Sequence, residues 1–438
     1  MRLVAALLTA LLVVASVHGA AAVPATTTPA EMGTDTATRA DRVVGAAAQT
    51  DRATVHNGTG PNVSRVLTLP GPAVDATNVT AVTVDAGGAT EIGADAAATR
   101  IGTDALATKL ETTDDGEERR ELLRRGVGRL AARSTTLDDR QSAAIRAYND
   151  GETDARKLLV ELARIDRTAR LLERRAVLLQ NASRATFPSG SPLVDNVTRL
   201  RSGLRRFQGP VRERVAGAVE GRVHDGRVFV ATTDRGVTLT TIVNDTYVRE
   251  VYRGFLWSSG GRGLSVTEAT TATAEAYPEI WAVRNRTSGT GSNGSFVLSV
   301  THPGGTLDSH VRGENRRVFR EVQRLSLEAY PSGPGVSRQL NGLVMQVNRT
   351  YPGGPLRVAV TDAQTGEPVN TSVSVSPIGQ PNLDQAGVTG DSGVLWTLGP
   401  GGSPQGYTIT ADETDSSRVV IVVTDPAAAT TVAQARRR

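Results

Sequence analysis

The sequence predicts an α+β multidomain protein: a helical hairpin or bundle, a small α+β domain and a C-terminal antiparallel β-sandwich. Three observations predict it. Apolar residues recur at steps of three and four between Leu123 and Val211; from Arg222 the period shortens to two around one helical stretch; and from Val336 to Asp425 short alternating runs are separated by Gly/Pro turns. A chain of 438 residues, 39% hydrophobic, can build several cores. It has no cysteine, so those cores stand without disulfides, and no thiolate can hold a metal.

The N-terminus carries one arginine, an apolar run from Leu3 to Val17 and then small residues through Ala22. This is the three-part pattern of a secretory signal over residues 1–22, and it predicts an exported protein, secreted or held at the cell surface. Contact with a membrane follows only if that segment is retained as an anchor. Ten of the fourteen asparagines, Asn57, Asn62, Asn78, Asn181, Asn196, Asn244, Asn285, Asn293, Asn348 and Asn370, open an Asn-x-Ser/Thr triplet. That triplet is the N-glycosylation acceptor and implies surface sites on an exported glycoprotein. Residues 23–60, rich in Ala, Thr and Gly, read as a flexible lead-in. In 61–113, "SRVLTLP" and "NVTAVTV" alternate as strands do, and 94–112 suits an alanine-rich helix.

Residues 114–221 read as long helices. Leu158, Leu162, Ile165, Ala169, Leu172, Ala176 and Leu179 form one seam, and Leu193, Val197, Leu200, Leu204, Phe207 and Val211 a second. Leu123, Val127, Leu130 and Leu137 form a weaker third. Ser191 and Pro192 mark a helix start, and Gly209 with Pro210 a break or restart. Such seams bury best against one another as a hairpin or bundle, with a partner-binding coiled coil as the functional alternative. This region holds 22 Arg/Lys against 16 Asp/Glu, and nearly every base in the chain is arginine. Acids sit among the bases at helical spacing, as in Glu121/Arg125 and Asp166/Arg170, which points to a salt-bridged, solvated surface and not to a nucleic-acid partner.

Residues 222–335 alternate as strands in "RVFVATT", "VTLTTIV", "YVREVYRG" and "SFVLSVTH", with "TEATTATAEAYPEIWAV" as a helix. "HVRGENRRVFREVQRLSL" is one more strand or a strand running into a helix. This order resembles small secreted propeptide modules, which implies inhibition or chaperoning of a protease. Residues 336–426 carry "VTDAQTGEPV", "VTGDSGVLW" and "YTITA". These stretches resemble the carboxypeptidase-regulatory-like, or prealbumin-like, Ig-like family. The resemblance implies a sandwich with Gly366 and Gly393 at turns, Val369 and Trp396 in the core, and no catalysis. Alternation predicts Val344, Leu356, Val358, Val360, Val373, Val375, Leu395, Leu398, Ile409, Val420 and Val422 as the facing core, and 427–438 is a tail. The order of the whole chain resembles a family of uncharacterised exported proteins of halophilic archaea.

Chemistry is sparse. "GTGSNG" (Gly289–Gly294) fits Gly-x-Gly-x-x-Gly, but it precedes a strand where a dinucleotide loop must open a helix, and it reads as a loop. His302, Asp308 and His310 are metal ligands by type but lack the helical register of a zinc pair, and they read as a solvated hairpin. Asp412 and Asp415 lack calcium-loop spacing. Catalytic, cofactor-binding and metal residues are therefore expected to be none. Three readings remain: a non-catalytic exported glycoprotein with an unknown protein or cell-envelope partner, a protease-binding module, and a carbohydrate-active hydrolase. Aromatics at 4% speak against a sugar-stacking cleft.

Overall fold

The computed structural model describes residues 54–56, 66–67, 69 and 76–424, apart from 225, 259–261, 293, 331–334, 352, 378–383, 400–406 and 414–417. The segment expected to be a signal, the expected tail, Asn57, Asn62, Asn293 and Asp415 lie outside the described residues.

Helices come first. The apolar spacing gives α1 (Ala86–Thr112), α2 (Gly116–Asn149), α3 (Ala155–Thr186), α4 (Pro192–Leu204) and, after a 3₁₀ turn at Arg205–Phe207, α5 (Pro210–Val219). Asp85, Asp115 and Asp154 cap the first three through first-turn N–H groups, and Ser191 followed by Pro192 opens α4 as the sequence predicts. All seven residues of the long seam are buried on α3. That helix also buries Leu159, Ala163, Asp166 and Arg175, because α1, α2, α4 and α5 all pack around it. The expected hairpin or bundle is a bundle, with α1, α2, α4 and α5 packed around α3 as its axis. Asp166 and Arg170 pair at 2.8 Å, yet Asp166 is buried, so this pair belongs to the interior and not to a solvated face.

An eight-stranded antiparallel sheet lies beneath the bundle, built from β2 (Ala76–Val82), β3 (Gly226–Thr233), β4 (Gly236–Val243), β5 (Thr246–Arg253), β6 (Arg286–Ser292), β7 (Ser295–His302), β8 (Gly305–Arg312) and β9 (Val318–Ser326). Its order is β2-β3-β4-β5-β9-β8-β7-β6. Three expectations change here. The 61–113 segment is no separate piece: α1 joins the bundle, and β2 pairs with β3 in the sheet. "GTGSNG" is no loop, since its first four residues belong to β6 and pair with β7. Of "SRVLTLP" only Val66, Leu67 and Leu69 are described, and none of these lies in a strand; Leu67 donates its N–H to Glu321 at 2.7 Å and accepts from Arg249 at 2.8 Å.

Period-two alternation gives the sheet two buried faces. Val228, Val230, Leu239, Val248 and Phe319 face the bundle with Ile145, Leu158 and Val215. Phe229, Ala231, Tyr247, Val251, Phe296 and Leu307 face the other way. There α6 (Val266–Ala276) and α7 (Pro278–Ala282) cover the β7–β9 end, with Ala269, Ala272 and Ile280 in that core.

Over the β3–β4 end sits the sandwich. One sheet has the order β1-β10-β11-β12-β15: β1 (Thr54–His56), β10 (Gly335–Leu340), β11 (Leu343–Asn348), β12 (Pro355–Asp362) and β15 (Val394–Leu398). The second sheet runs β14-β13-β16-β17: β14 (Asp384–Val388), β13 (Ser372–Pro377), β16 (Tyr407–Glu413) and β17 (Arg418–Thr424). Its core holds Leu356, Val358, Val360, Val369, Val373, Val375 and Ile409 as expected, with Leu395 packed against it. The side chains of Val420 and Val422 lie outside the described residues. On β11 the core residues are Leu343, Met345 and Val347, one position off the expected Val344. Trp396 and Leu398 do not enter this core: they pack into the core of the eight-stranded sheet. They line the outer face of β12–β15, which docks on β3 and β4. The lead-in reading of 23–60 is corrected at its end, because Thr54–His56 pair with β10.

Candidate functional site

The bundle meets the sheet through charge as well as apolar contact. Glu250, on β5, accepts from Arg212 Nε at 3.0 Å and from the Val211 N–H, and Arg212 also donates to Gln141 at 2.7 Å; all three side chains are buried. Asp166 accepts the Gly209 N–H at 2.8 Å, so two carboxylates meet the N-terminus of α5, where the helix dipole favours them. Burial holds the Asp166 carboxyl above the usual carboxylate range, against the opposing pull of Arg170 and the Gly209 N–H. A Cβ on Gly209 would stand 1.7 Å from the Glu250 carboxylate. The Gly-Pro pair that marks a helix restart is thus also the place where only glycine admits the sheet's carboxylate.

Along the same seam opens a cavity of about 480 Å³. Its wall includes Arg206 from the 3₁₀ turn, Arg312 at the end of β8, Arg199 on α4, Arg235 in the β3–β4 turn, Trp257 after β5 and Asp138 on α2. The guanidiniums of Arg206 and Arg312 each lie 4.5 Å from the Trp257 ring centroid, a cation–π arrangement that holds two like charges in place. Phe319 backs the indole at 5.1 Å. Glycines make room for both arginines: a Cβ at Gly203 would sit 3.1 Å from Arg206, and one at Gly294, where φ is +95°, 2.9 Å from Arg312. Asp138 accepts from Arg206 at 3.3 Å. Arg312 donates to the Gly294 carbonyl at 2.8 Å and reaches the Ser258 hydroxyl, while its buried Nε has no hydrogen-bond partner among the described residues. Arg199 and Arg235 make no ion pair among the described residues. Burial pushes Arg206 and Arg312 below the usual guanidinium range. A second cavity of about 150 Å³ shares Ser202, Arg206 and Ser295 with the first.

Sequence reasoning missed this site because its members come from six separate elements and each looks like an ordinary surface residue. The one local signal is the glycine beside arginine in "SGLRRF"; Gly294, which makes room for Arg312, is distant from it in sequence.

The predicted residues are scattered. His302 and His310 are not a solvated pair: both are buried, His302 at the β7–β8 turn, where its Nδ1 accepts the Gly304 N–H, and His310 on β8 against Arg320. Asp308 accepts the Ser299 hydroxyl at 2.6 Å. Among the described residues, no group of three or more His, Cys, Asp or Glu could hold a metal ion. Asp412 lies on β16 opposite Ser372. Of the acceptor asparagines, Asn181, Asn244, Asn285 and Asn370 are exposed, Asn196 is half-buried on the cavity wall, Asn78 lies on β2, and Asn348 is buried.

Burial, with the charges of Arg320 and Arg205 nearby, holds His310 well below the usual imidazole range. The unfolded chain therefore takes up a proton near pH 6.5 that the folded protein refuses. Stability is expected to fall as pH drops below about 6.5, and His310→Gln should flatten that slope. Equal slopes for both proteins in denaturant titrations at pH 7 and pH 5 would refute it.

No curated protein and no solved structure matches the chain. Residues 336–420 match the archaeal fibronectin-III type-like domain, an Ig-like sandwich, where a carboxypeptidase-regulatory-like one was expected. Residues 228–331 match a family of unknown function, DUF7094. No helix of the described residues is long and apolar enough to cross a membrane. Residues 1–224, just over half of the chain, match the domain of unknown function DUF7096, and the chain belongs to that family.

Proposed function

We propose that this is a non-catalytic protein of the archaeal cell surface, exported and N-glycosylated, that presents a rigid three-layer body and binds through the arginine-lined cavity. The observation that carries the reading is where the buried charge goes. The pairs Arg212–Glu250 and Arg249–Glu321, on opposite faces of the eight-stranded sheet, tie it to the bundle and to the 66–69 segment respectively. These two buried pairs lock layers together, which suits a scaffold that holds a binding surface. Four acceptor asparagines on exposed positions, the apolar leader and the fibronectin-III type-like module support export, and the resemblance to exported proteins of halophilic archaea agrees with it. The partner is a protein or a component of the cell envelope, not nucleic acid.

The test is the intact mass of protein purified from its native source. A mass above that of the mature polypeptide, with glycopeptides at Asn181, Asn244, Asn285 or Asn370, is the expected result. Native protein that keeps its leader-derived peptide and carries no glycan would sink the export reading.

A further inference from the structure

We propose that the cavity at Trp257 is a recognition site for an acidic sugar unit: a single polyhydroxylated ring bearing a carboxylate or a sulfate. The charge comes first. Arg199, Arg206, Arg235 and Arg312 face one carboxylate in the wall, Asp138, which Arg206 already engages; Glu314 stands nearby on the Ser258 hydroxyl. Arg312 is 2% exposed and keeps a buried Nε–H with no acceptor among the described residues. That Nε has almost no accessible surface and does not itself reach the cavity; the demand comes from four guanidiniums set against Asp138, a net positive charge in a cleft that favours an oxyanion. Arg199 and Arg235, which make no ion pair among the described residues, answer a carboxylate or sulfate with paired N–H donors, while Arg206 and Arg312, held on Trp257 and on their own acceptors, add fixed positive charge behind them.

Size and polarity narrow the ligand further. A free oxyanion would occupy only a fraction of 480 Å³, whereas small-molecule sites commonly measure about 300–1,000 Å³. The rest of the wall offers Ser134, Thr135, Ser202, Ser258 and Ser295 hydroxyls and the Asn196 amide. These groups match the many hydroxyls of a sugar ring. A nucleotide fits less well, because the Trp257 indole is already engaged by two guanidiniums and Phe319 and is not free to stack a base.

This inference rests on the binding role given to the cavity above. The test uses full-length protein made without glycosylation, titrated by calorimetry at low ionic strength with glucuronate, glucose 6-sulfate, glucose and inorganic sulfate. Glucuronate and glucose 6-sulfate are expected to bind at least about tenfold more tightly than glucose, and more weakly as salt rises. Because loss of Arg312 could unfold the seam, the variant of choice is Arg199→Gln with Arg235→Gln, on the cavity rim. It should keep its melting temperature and lose at least about tenfold in affinity for both acids. Binding of inorganic sulfate alone, equal binding of glucose and glucuronate, insensitivity to the rim variant, or no binding at all would each overturn the proposal. Recovery of chemically altered glucuronate would leave the site standing and overturn the non-catalytic reading instead.

Discussion

Replacing Glu250 with alanine is expected to lower the unfolding free energy by about 3–5 kcal/mol, because it strands Arg212 as a buried charge without its partner. The effect should be large for two reasons. Both side chains are almost wholly buried, at 3% and 6% exposure, so water cannot replace the missing carboxylate. Glu250 also accepts the Val211 N–H at the start of α5, so its loss uncaps a helix wedged between bundle and sheet. Among the described residues, Arg212 would keep Gln141 and the Phe207 carbonyl. The double replacement Glu250→Leu with Arg212→Met should recover much of the loss, since apolar residues of similar volume often substitute well for a buried pair. Urea denaturation of the three proteins checks this. A single-mutant loss below about 1 kcal/mol, the value of a solvated surface pair, would mean that water reaches the site.

Gly353→Ala is the second large effect, and it acts on the other face of the sheet. Gly353 lies between β11 and β12 with φ at +72°, and a Cβ there would come 2.3 Å from the Phe229 ring. Its carbonyl accepts from Thr240 at 2.7 Å and from the Tyr247 hydroxyl at 2.9 Å, so this turn is the peg by which the sandwich is fixed to β4 and β5. Left-handed backbone costs a non-glycine residue about 1–2 kcal/mol, and forcing a methyl into a filled core about 1–3 kcal/mol more. The sum, about 2–5 kcal/mol, should appear as a lower midpoint of thermal unfolding. It should also free Tyr247, whose hydroxyl burial holds at a pKa of about 12. A released Tyr247 would titrate nearer 10, so ultraviolet titration should show one tyrosine ionising earlier in the variant. An unchanged midpoint together with an unchanged titration would show that the peg does not bear on the docking.

The parts of this architecture that are local were legible in the sequence. The α3 seam, the Ser191–Pro192 start and the Gly209–Pro210 restart depend on neighbours within a turn or two, and each appears where the spacing puts it. What failed depends on a second surface. Trp396 alternates correctly along β15, but alternation cannot say which face meets the sandwich core and which meets another sheet; here Leu395 takes the first and Trp396 the second. Val344 and Met345 differ by one register step, and the pairing with β12 decides between them. Arg249, Glu250 and Glu321 carry no signal of their role, since nothing in their strands hints that each has a partner on an element distant in sequence. The cavity was hidden for the same reason, its arginines being ordinary until folding sets Arg206 and Arg312 against Trp257.

The pairing of β1 with β10 places Val55 opposite Val336, and that of β2 with β3 places Asn78 opposite Val230. A ribosome releases the first member of each pair long before the second exists. Both early strands must therefore wait as unpaired templates while the bundle assembles, and closing such distant contacts is slow. The 66–69 segment between them has the same difficulty, since Arg249 and Glu321 arrive late as well. Synthesis thus leaves an interval in which the nascent chain carries its own stickiest edges uncovered. The threonine-rich, weakly apolar composition of "ATNVTAV" is what one would choose for a strand obliged to wait in water.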